Sequence, residues 1–356
     1  MKKVRLKVLM LGSVLILAML FSPGCSTGPE KNSPAGKNGK ITIGFSLATL
    51  QEERWQRDMD ILVAKAKAKG ADVIVQNSNN NIDDQIKQVK YLLDQNIDIL
   101  LIVPQDAEKS AEAVDLAKKK GIKVICYDRL IKNANTDFYV SFDNTKIGEY
   151  MASMMVSKVP MGNYIIVNGA KTDYNSYMYN QGYKNILDKY IYDKSIKIVD
   201  EIWANDWRPE DSFKCVEKAL QGGKKIDAIL AANDSLAGAA IEALSEQQLA
   251  GKVSVAGHDA DISGCQRVAE GTQLMTVYKP IDQLAEKAVD VALGLLKNNY
   301  YASNTYISDG ENDIPYAKVE PIVVTKDNLV DTVINDGFHR LEDVYLNVPR
   351  DQWPVK

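Results

Sequence analysis

The chain has 356 residues, of which 46% are hydrophobic and 25% are charged. This composition is ordinary for a globular protein, and the length is sufficient for two domains with separate cores. The formal net charge is only −4 and lysines are interspersed with acids, which excludes an extended basic surface for nucleic acid. With only two histidines in the sequence, a histidine-rich metal site is also excluded.

Residues 1–25 are predicted to be a signal peptide and not part of the fold. A basic start containing Lys2, Lys3, Arg5 and Lys7 precedes an apolar run over residues 8–21. That run is shorter than the roughly 20 residues that a membrane-spanning helix needs. The pattern therefore indicates export.

The end of this segment, Pro23-Gly24-Cys25, resembles the lipobox of bacterial lipoproteins, in which the cysteine is acylated and becomes the mature N-terminus. Ser22 stands where an aliphatic residue is usual. We predict lipidation of Cys25 and anchoring at the outer face of the membrane; cleavage without lipid and an uncleaved anchor are the alternatives. Residues 26–40 are rich in Gly, Pro, Ser, Asn and Lys, which predicts a flexible tether.

After the tether, short β-branched runs alternate with amphipathic stretches. Strands are predicted at 41–45, 71–76, 99–103 and 123–127, with helices at 53–69, 82–95 and 107–119. The alternation restarts after Asp143, with strands at 164–167, 196–202, 228–231, 253–256 and 274–277 and helices near 180–190, 209–220, 235–247 and 262–270. Two such sets predict two doubly wound parallel-sheet domains of Rossmann-like α/β type. A later helix at 281–297 is a candidate to pass back to the first sheet.

Three cysteines follow the signal segment, and their spacings fit no metal motif. Each lies in an apolar pattern, so we predict buried free thiols at Cys126, Cys215 and Cys265.

Polar residues follow several predicted strands at the edge where an α/β cleft needs them. They are Asp128, Arg129, Asn233, Asp234, His258, Asp259 and Lys279. Such a set suits a neutral polyol, because carboxylates accept from adjacent hydroxyls while guanidinium and ammonium groups donate. Trp55, Trp203 and Trp207 are candidate flat faces for the C–H side of a sugar ring. Taken one at a time, these charges also fit helix caps and these tryptophans also fit core packing.

Enzyme signatures are weak. Residues 169–172 resemble the end of a phosphate-binding loop, but the glycine spacing is wrong. Asp259 and Asp261 form a spacing that a glycosidase pair can have, yet Asp261 is more simply the N-cap of the helix that begins at Ile262. We therefore predict no enzyme and no cofactor.

Several separated segments resemble those of bacterial D-xylose-binding proteins, over nearly everything from Lys40 to about His339. The segments are Glu53-Arg54-Trp55-Gln56, Tyr127-Asp128-Arg129, Phe142-Asp143-Asn144, Ala232-Asn233-Asp234, Gly257-His258-Asp259-Ala260-Asp261 and Thr276-Val277-Tyr278-Lys279-Pro280-Ile281.

The resemblance implies a type I periplasmic-binding-protein fold with three hinge crossings, and a sugar receptor that serves an ATP-driven importer. It implies lobes at 41–142 plus about 280–308 and at 143–279 plus about 309–340, followed by a tail at 341–356. Carried across by position, the ligand residues are Arg54, Asp128, Arg129, Asn175, Trp207, Asn233, Asp259 and Lys279. In this set the arginines and Lys279 donate, Asp128, Asn233 and Asp259 mainly accept, and Trp207 stacks.

The chain departs from the pattern at a few positions. Ala48 and Thr49 replace an acidic pair, Tyr174 replaces an asparagine, and His258 stands where a glutamine is common. The resemblance implies D-xylose as the ligand, and these departures widen the expectation to a related monosaccharide.

The partner is expected to be the membrane permease of an ABC importer. The alternative is a sensor kinase ectodomain or chemoreceptor that reads the closed form. A lactose-repressor type of protein is disfavoured by the signal peptide and the missing DNA-binding helices. The tail, with Trp353, is expected to pack on the body, with partner contact as the alternative.

Overall fold

The structure is a computed structural model that describes residues 39–354. The predicted signal peptide, Cys25 and nearly all of the tether lie outside this range. Within residues 39–354, none of the helices combines the length and the apolar character needed to span a bilayer.

The first lobe is built on a seven-stranded sheet. Its strands, in chain order, are β1 (Ile41–Leu47), β2 (Ala71–Asn77), β3 (Ile99–Ile102), β4 (Lys123–Tyr127), β5 (Phe138–Phe142), β11 (Tyr306–Ser308) and β12 (Asp313–Val319). Their spatial order is β11-β12-β5-β4-β3-β1-β2, and all neighbours are parallel except the β11–β12 hairpin. Every residue of β3 is buried, as expected of a central strand with helices on both faces.

The helices of this lobe are α1 (Glu53–Ala68), α2 (Ile82–Asp94), α3 (Ala111–Lys119) and α9 (Ile281–Asn298). Helix α9 packs against α1, where Lys65 Nζ lies 2.7 Å from Asp282 Oδ2 and Lys69 Nζ lies 2.5 Å from Asp290 Oδ1. The chain therefore does pass back to the first sheet after its second set of βα units.

The second lobe repeats the arrangement with a smaller sheet. Its parallel strands are β6 (Gly162–Asn168), β7 (Ile196–Trp203), β8 (Ala228–Ala231) and β9 (Ser254–Ala256), in the spatial order β7-β6-β8-β9. Its helices are α4 (Asn144–Lys158), α5 (Tyr174–Tyr192), α6 (Pro209–Gln221), α7 (Asp234–Ser245) and α8 (Ile262–Glu270). An antiparallel pair, β10 (Thr276–Tyr278) with β13 (Ile322–Val324), adjoins this sheet through a bridge between Ala256 and Met275.

Local sequence explains where the helices of both lobes begin and end. The side chains of Asn81, Asp143, Asp173 and Asn233 each accept a backbone N–H in the first turn of α2, α4, α5 and α7. Helix α8 ends at Gly271, whose φ of +88° is the left-handed conformation that glycine adopts without steric cost.

The chain crosses between the lobes three times, after β5, after β10 and after β12. The predicted assignment of residues 309–340 to the second lobe is therefore wrong at its start. Strand β12 pairs in parallel with β5, with Tyr316 opposite Tyr139, and so belongs to the first sheet. The third crossing lies between Val319 and Ile322, because only after that point does the chain pair with β10.

The C-terminal segment packs on the second lobe, as predicted. After a single π-helical turn at Val330–Ile334, a short helix α10 (Leu341–Val344) lies against α8. Val344 and Tyr345 are buried in one apolar cluster with Cys265 and Val268 of α8. The thiols of Cys126, Cys215 and Cys265 are all free and buried, which confirms the prediction made for them.

Helices α4 and α5 approach so closely that glycine is required at the contact. A Cβ on Gly148 would lie 2.2 Å from the carbonyl oxygen of Tyr179, and one on Gly182 would lie 2.2 Å from that of Thr145. Helix α5 also carries residues that line the cavity between the lobes, so its close contact with α4 helps to position them.

We expect Gly148→Ala to lower the free energy of unfolding by about 1–3 kcal/mol, because backbone atoms must move apart to admit the methyl group. Urea denaturation monitored by circular dichroism measures the change. Gly222→Ala at the end of α6 is the control, since its Cβ would meet nothing closer than 3.3 Å. A Gly148→Ala protein as stable as the control variant would contradict the close-approach argument.

Candidate functional site

A cavity lies between the carboxyl ends of the two sheets. The structure places all of the sequence-predicted ligand residues in its wall: Arg54, Asp128, Arg129, Asn175, Trp207, Asn233, Asp259 and Lys279.

Each of these residues follows a strand. Arg54 lies in the first turn of α1 after β1, Asn175 in the first turn of α5 after β6, and Asn233 caps α7 after β8. Because parallel strands end at a common edge, residues distant in sequence meet there.

Five further residues line the cavity, and three of them were not predicted from the sequence, although their positions could have indicated them. Glu52 and Asp173 stand at the N-cap positions of α1 and α5, and Tyr179 follows Asn175 by four residues, which places both on one face of α5. Trp55 and His258 complete the wall. Trp203 lies elsewhere, with its ring centroid 4.6 Å from that of Tyr177.

The Arg54 guanidinium lies among three carboxylates. Its Nε donates to Asp58 Oδ2 at 3.1 Å, its Nη2 donates to Asp128 Oδ2 at 2.8 Å, and its Nη1 lies 3.5 Å from Asp259 Oδ1. Asp58 and Asp128 belong to the first lobe and Asp259 to the second, so one buried cation links both. Asp58 also accepts a hydrogen bond from Tyr127 Oη at 2.5 Å.

Arg129 forms a second link between the lobes. Its Nε lies 2.8 Å from Asp173 Oδ2, at the start of α5. The guanidinium groups of Arg54 and Arg129 lie 4.3 and 5.1 Å from the Trp55 ring centroid. Trp55 therefore orients both arginines through cation–π contacts.

Lys279 provides the third cation, from the end of hinge strand β10. Its Nζ lies 3.0 Å from Asp259 Oδ1 and donates to Tyr179 Oη at 3.1 Å. Burial alone would raise the pKa of Asp259, but the Lys279 ammonium and the Arg54 guanidinium outweigh it and hold that pKa well below its ordinary value. Asp259 is therefore ionised at any physiological pH.

Asp128 is fixed by groups of both lobes. Asn175 Nδ2 donates to its carbonyl oxygen and to Oδ1, each at 3.1 Å, and Tyr139 Oη and Ser141 Oγ donate to the same carbonyl. Burial opposes ionisation of Asp128, yet the nearby cations, Arg54 foremost, bring its pKa below the ordinary value. Its carboxylate is thus kept charged and positioned.

Asn233 has a capping role besides its place in the cavity wall. Its Oδ1 accepts the backbone N–H of Leu236 at 2.8 Å, as the N-cap of α7. Its amide Nδ2 makes no hydrogen bond within residues 39–354, and Oδ1 keeps a second lone pair. The expectation that Asn233 mainly accepts from the ligand therefore stays a prediction, with donation from Nδ2 as the alternative.

Trp207 lies on the backbone of Gly169. A Cβ on Gly169 would lie 2.2 Å from the Trp207 ring, so glycine is needed for the ring to lie there. Asp206 and Trp207 have φ values of +48° and +60° in succession, and Asp259 and Ala260 have +100° and +54°. Left-handed backbone at non-glycine residues costs on the order of 1–3 kcal/mol each and clusters at functional sites.

The loop that carries His258 and Asp259 rests on Asp234. Asp234 Oδ2 accepts from the Asp261 backbone N–H at 3.0 Å and from Thr276 Oγ1 at 2.8 Å, and the Asp234 N–H donates to the His258 carbonyl. Asp261 occupies the N-cap position of α8 as predicted, but its side chain makes no cap hydrogen bond. Asp234 is therefore a support and not a lining residue.

Three buried polar atoms of the cavity wall have no hydrogen-bond or ion-pair partner within the described chain. They are Glu52 Oε2, Trp207 Nε1 and His258 Nδ1. An unsatisfied buried polar group costs about 1–3 kcal/mol. This concentration at one cavity indicates a polar ligand.

Formal charges in the wall nearly cancel, since three cations face the carboxyl groups of Glu52, Asp128, Asp173 and Asp259. Burial raises the pKa of Glu52 and of Asp173, against the opposing effect of Arg129. The balance favours a ligand with no net charge.

Two doubly wound lobes, three crossings and a polar cavity between the carboxyl edges define a bilobal cleft receptor. The periplasmic binding protein domain family matches residues 43–299. The chain is 43% identical to the D-xylose-binding periplasmic protein of Haemophilus influenzae, over 88% of this chain and 95% of that protein. It is also 43% identical to the D-xylose-binding periplasmic protein of Escherichia coli, over 85% of this chain and 92% of that one.

This chain belongs to the periplasmic binding protein family. A carbohydrate transporter solute binding protein from Chloroflexus aurantiacus, solved in complex with D-glucose, has the same fold. It superposes with a TM-score of 0.81 at 26% identity, covering 85% of this chain and 98% of that one. These relatives are binding proteins, which confirms the prediction of a receptor over an enzyme.

We expect Arg54→Met to destabilise the protein by about 3–5 kcal/mol at pH 7, because it leaves buried carboxylates without their cation. The loss should shrink toward pH 5. In the variant the folded-state pKa values of these carboxylates rise above their unfolded values, so stability is gained as pH falls through them.

Urea denaturation at pH 7 and pH 5 measures both effects. Arg340→Met is the control, since the side chain of Arg340 is 76% exposed and its ion pairs reach 3.9 to 4.0 Å. A loss below about 1 kcal/mol, or one that is equal at both pH values, would contradict the assigned role of Arg54.

Proposed function

We propose that this protein captures D-xylose, or a closely related neutral monosaccharide, between its lobes and delivers it to an ABC importer. The observation that carries the proposal is the charge-balanced cavity whose donors and acceptors come from both lobes. Relatives that are 43% identical over most of the chain are named as D-xylose-binding proteins, which supports this choice of sugar.

The ligand set proposed from the sequence supplies complementary groups. Arg129 and Lys279 are donors, Asp128 and Asp259 are acceptors, and the Asn233 amide adds a group that can accept or donate. A pyranose presents hydroxyls that both donate and accept around its edge and an apolar C–H face. The buried Trp207 ring offers a flat surface for that face.

Hinge closure is the proposed mechanism. Contacts that join the lobes surround the cavity: Ala107 N–H donates to the Thr172 carbonyl at 2.8 Å, and Ile262 N–H donates to Glu53 Oε2 at 3.1 Å. A sugar bonded to groups of both lobes stabilises this arrangement over an open one, by no more than its difference in binding free energy. The partner would then read the closed shape.

We expect D-xylose to bind and Asp259→Asn to weaken binding at least tenfold, because loss of one member of a buried, hydrogen-bonded charge pair typically costs about 2–5 kcal/mol. Isothermal titration calorimetry on the fragment that begins at Lys40, with a panel of pentoses and hexoses, measures this. Glu108→Gln is the matched control, because Glu108 is exposed and lies outside the cavity wall.

Binding of no sugar in the panel would refute the proposal. Equal affinities of Asp259→Asn and Glu108→Gln for D-xylose would remove Asp259 from the ligand set.

We propose that the chain is exported and held at the outer face of the membrane by lipid on Cys25. The basic and apolar N-terminal segment and the small residue before Cys25 support this.

Cys25→Ser should therefore move the protein from the membrane fraction to the medium and abolish incorporation of labelled fatty acid. Cys265→Ser is the control and should remain membrane-bound, because Cys265 is a buried thiol of the fold. Unlabelled wild-type protein, or a Cys25→Ser variant that stays in the membrane, would contradict the anchor.

The proposed partner is a sugar permease, in line with the transporter relative described above. Crosslinking in membranes with D-xylose present tests it. Capture of permease subunits is expected, whereas capture of a sensor kinase ectodomain in their place would reassign the protein to sensing.

A further inference from the structure

His258 lies in the cavity wall but is not among the predicted ligand residues. It is 1% exposed and sits in the loop after β9, one residue before Asp259. Its ring centroid lies 4.6 Å from that of Tyr179, at an interplanar angle of 54°. This packing against α5 fixes the plane of the imidazole.

The imidazole is neutral at physiological pH. Burial, followed by the nearby Lys279 ammonium, lowers the pKa of His258 to about 3. A neutral imidazole has one nitrogen that donates and one that accepts.

The surroundings indicate which nitrogen is which. His258 Nε2 lies 3.5 Å from Asp259 Oδ1, a carboxylate that stays ionised. A neighbouring carboxylate stabilises the proton on the nitrogen that faces it. Nδ1 is therefore the unprotonated nitrogen, and it is buried with no hydrogen-bond partner in the described part of the chain.

The two cations that act on His258, Lys279 and Arg54, are already engaged by other groups. Lys279 Nζ contacts Asp259 and Tyr179, and Arg54 contacts Asp58, Asp128 and Asp259. An acceptor left unpaired in a buried wall is costly unless the ligand supplies the donor.

We infer that His258 is a specificity-determining residue that accepts a hydrogen bond from one hydroxyl of the bound sugar through Nδ1. The inference rests on the proposed function, because it takes a neutral sugar as the ligand. A sugar that lacks that hydroxyl leaves Nδ1 buried and unpaired, so the residue discriminates against deoxygenated analogues.

Nitrogen NMR of the imidazoles tests this directly, because the sequence contains only His258 and His339. The untagged, isotopically labelled fragment that begins at Lys40 would be recorded with and without D-xylose, and His339→Gln would assign the two sets of signals. We expect His258 to be protonated at Nε2 in both states. On addition of D-xylose, its Nδ1 resonance should move toward the protonated range, as an unprotonated nitrogen does when it accepts a hydrogen bond.

Calorimetry on the same sample separates the two claims. If D-xylose binds but the Nδ1 resonance does not move, or if Nδ1 carries the proton, the role of His258 is refuted while the sugar receptor stands. If no sugar binds, the proposed function itself fails and the inference falls with it.

Two substitutions extend the test. His258→Gln keeps an acceptor oxygen and should retain D-xylose affinity within about threefold, whereas His258→Leu should lose at least tenfold, since a buried hydrogen bond to the sugar is removed. Equal affinities of the two variants would contradict a role as acceptor.

Discussion

The structure depends on one buried cation shared by the lobes. Arg54 bridges Asp58 and Asp128 of the first lobe to Asp259 of the second, and its guanidinium is stacked on Trp55. Such a cluster is costly to desolvate and tolerable only when every charge has its partner. Because the carboxylates come from both lobes, the same ion pairs hold the lobes together and keep the carboxylates ionised.

The ion-paired residues line a cavity with a defined chemistry. Its cations and carboxylates are largely paired with one another, and the unpartnered atoms Trp207 Nε1 and His258 Nδ1 suit the proposed ligand, which has hydroxyl groups and no net charge. The turns that carry these groups are strained, because Trp207 and Ala260 have left-handed backbone conformations. Asp234 and Gly169 hold those turns in place, although neither is a cavity-lining residue.

Much of the fold could be predicted from the sequence, because hydrophobic periodicity defines long helices and buried strands. Helix α8 and strand β4 match the predicted bounds, whereas β5, β11 and β12 were missed. Strand β12 joins the first sheet only through tertiary pairing with β5, so no local pattern reports it and the predicted lobe boundary failed there. Within the site, the place of Asn233 in the cavity wall could be predicted from the sequence. Which of its side-chain atoms caps α7 could not, because that depends on the folded geometry.

The most direct test of a sugar receptor built on a shared charge cluster is a crystal structure of the fragment that begins at Lys40, grown with D-xylose. We expect one pyranose in the cavity between the lobes, with its apolar face on Trp207 and its hydroxyls within hydrogen-bond distance of Arg129, Asp259 and Asn233. A closed structure in which the sugar occupies another site, or in which Arg54 no longer joins Asp128 to Asp259, would contradict it.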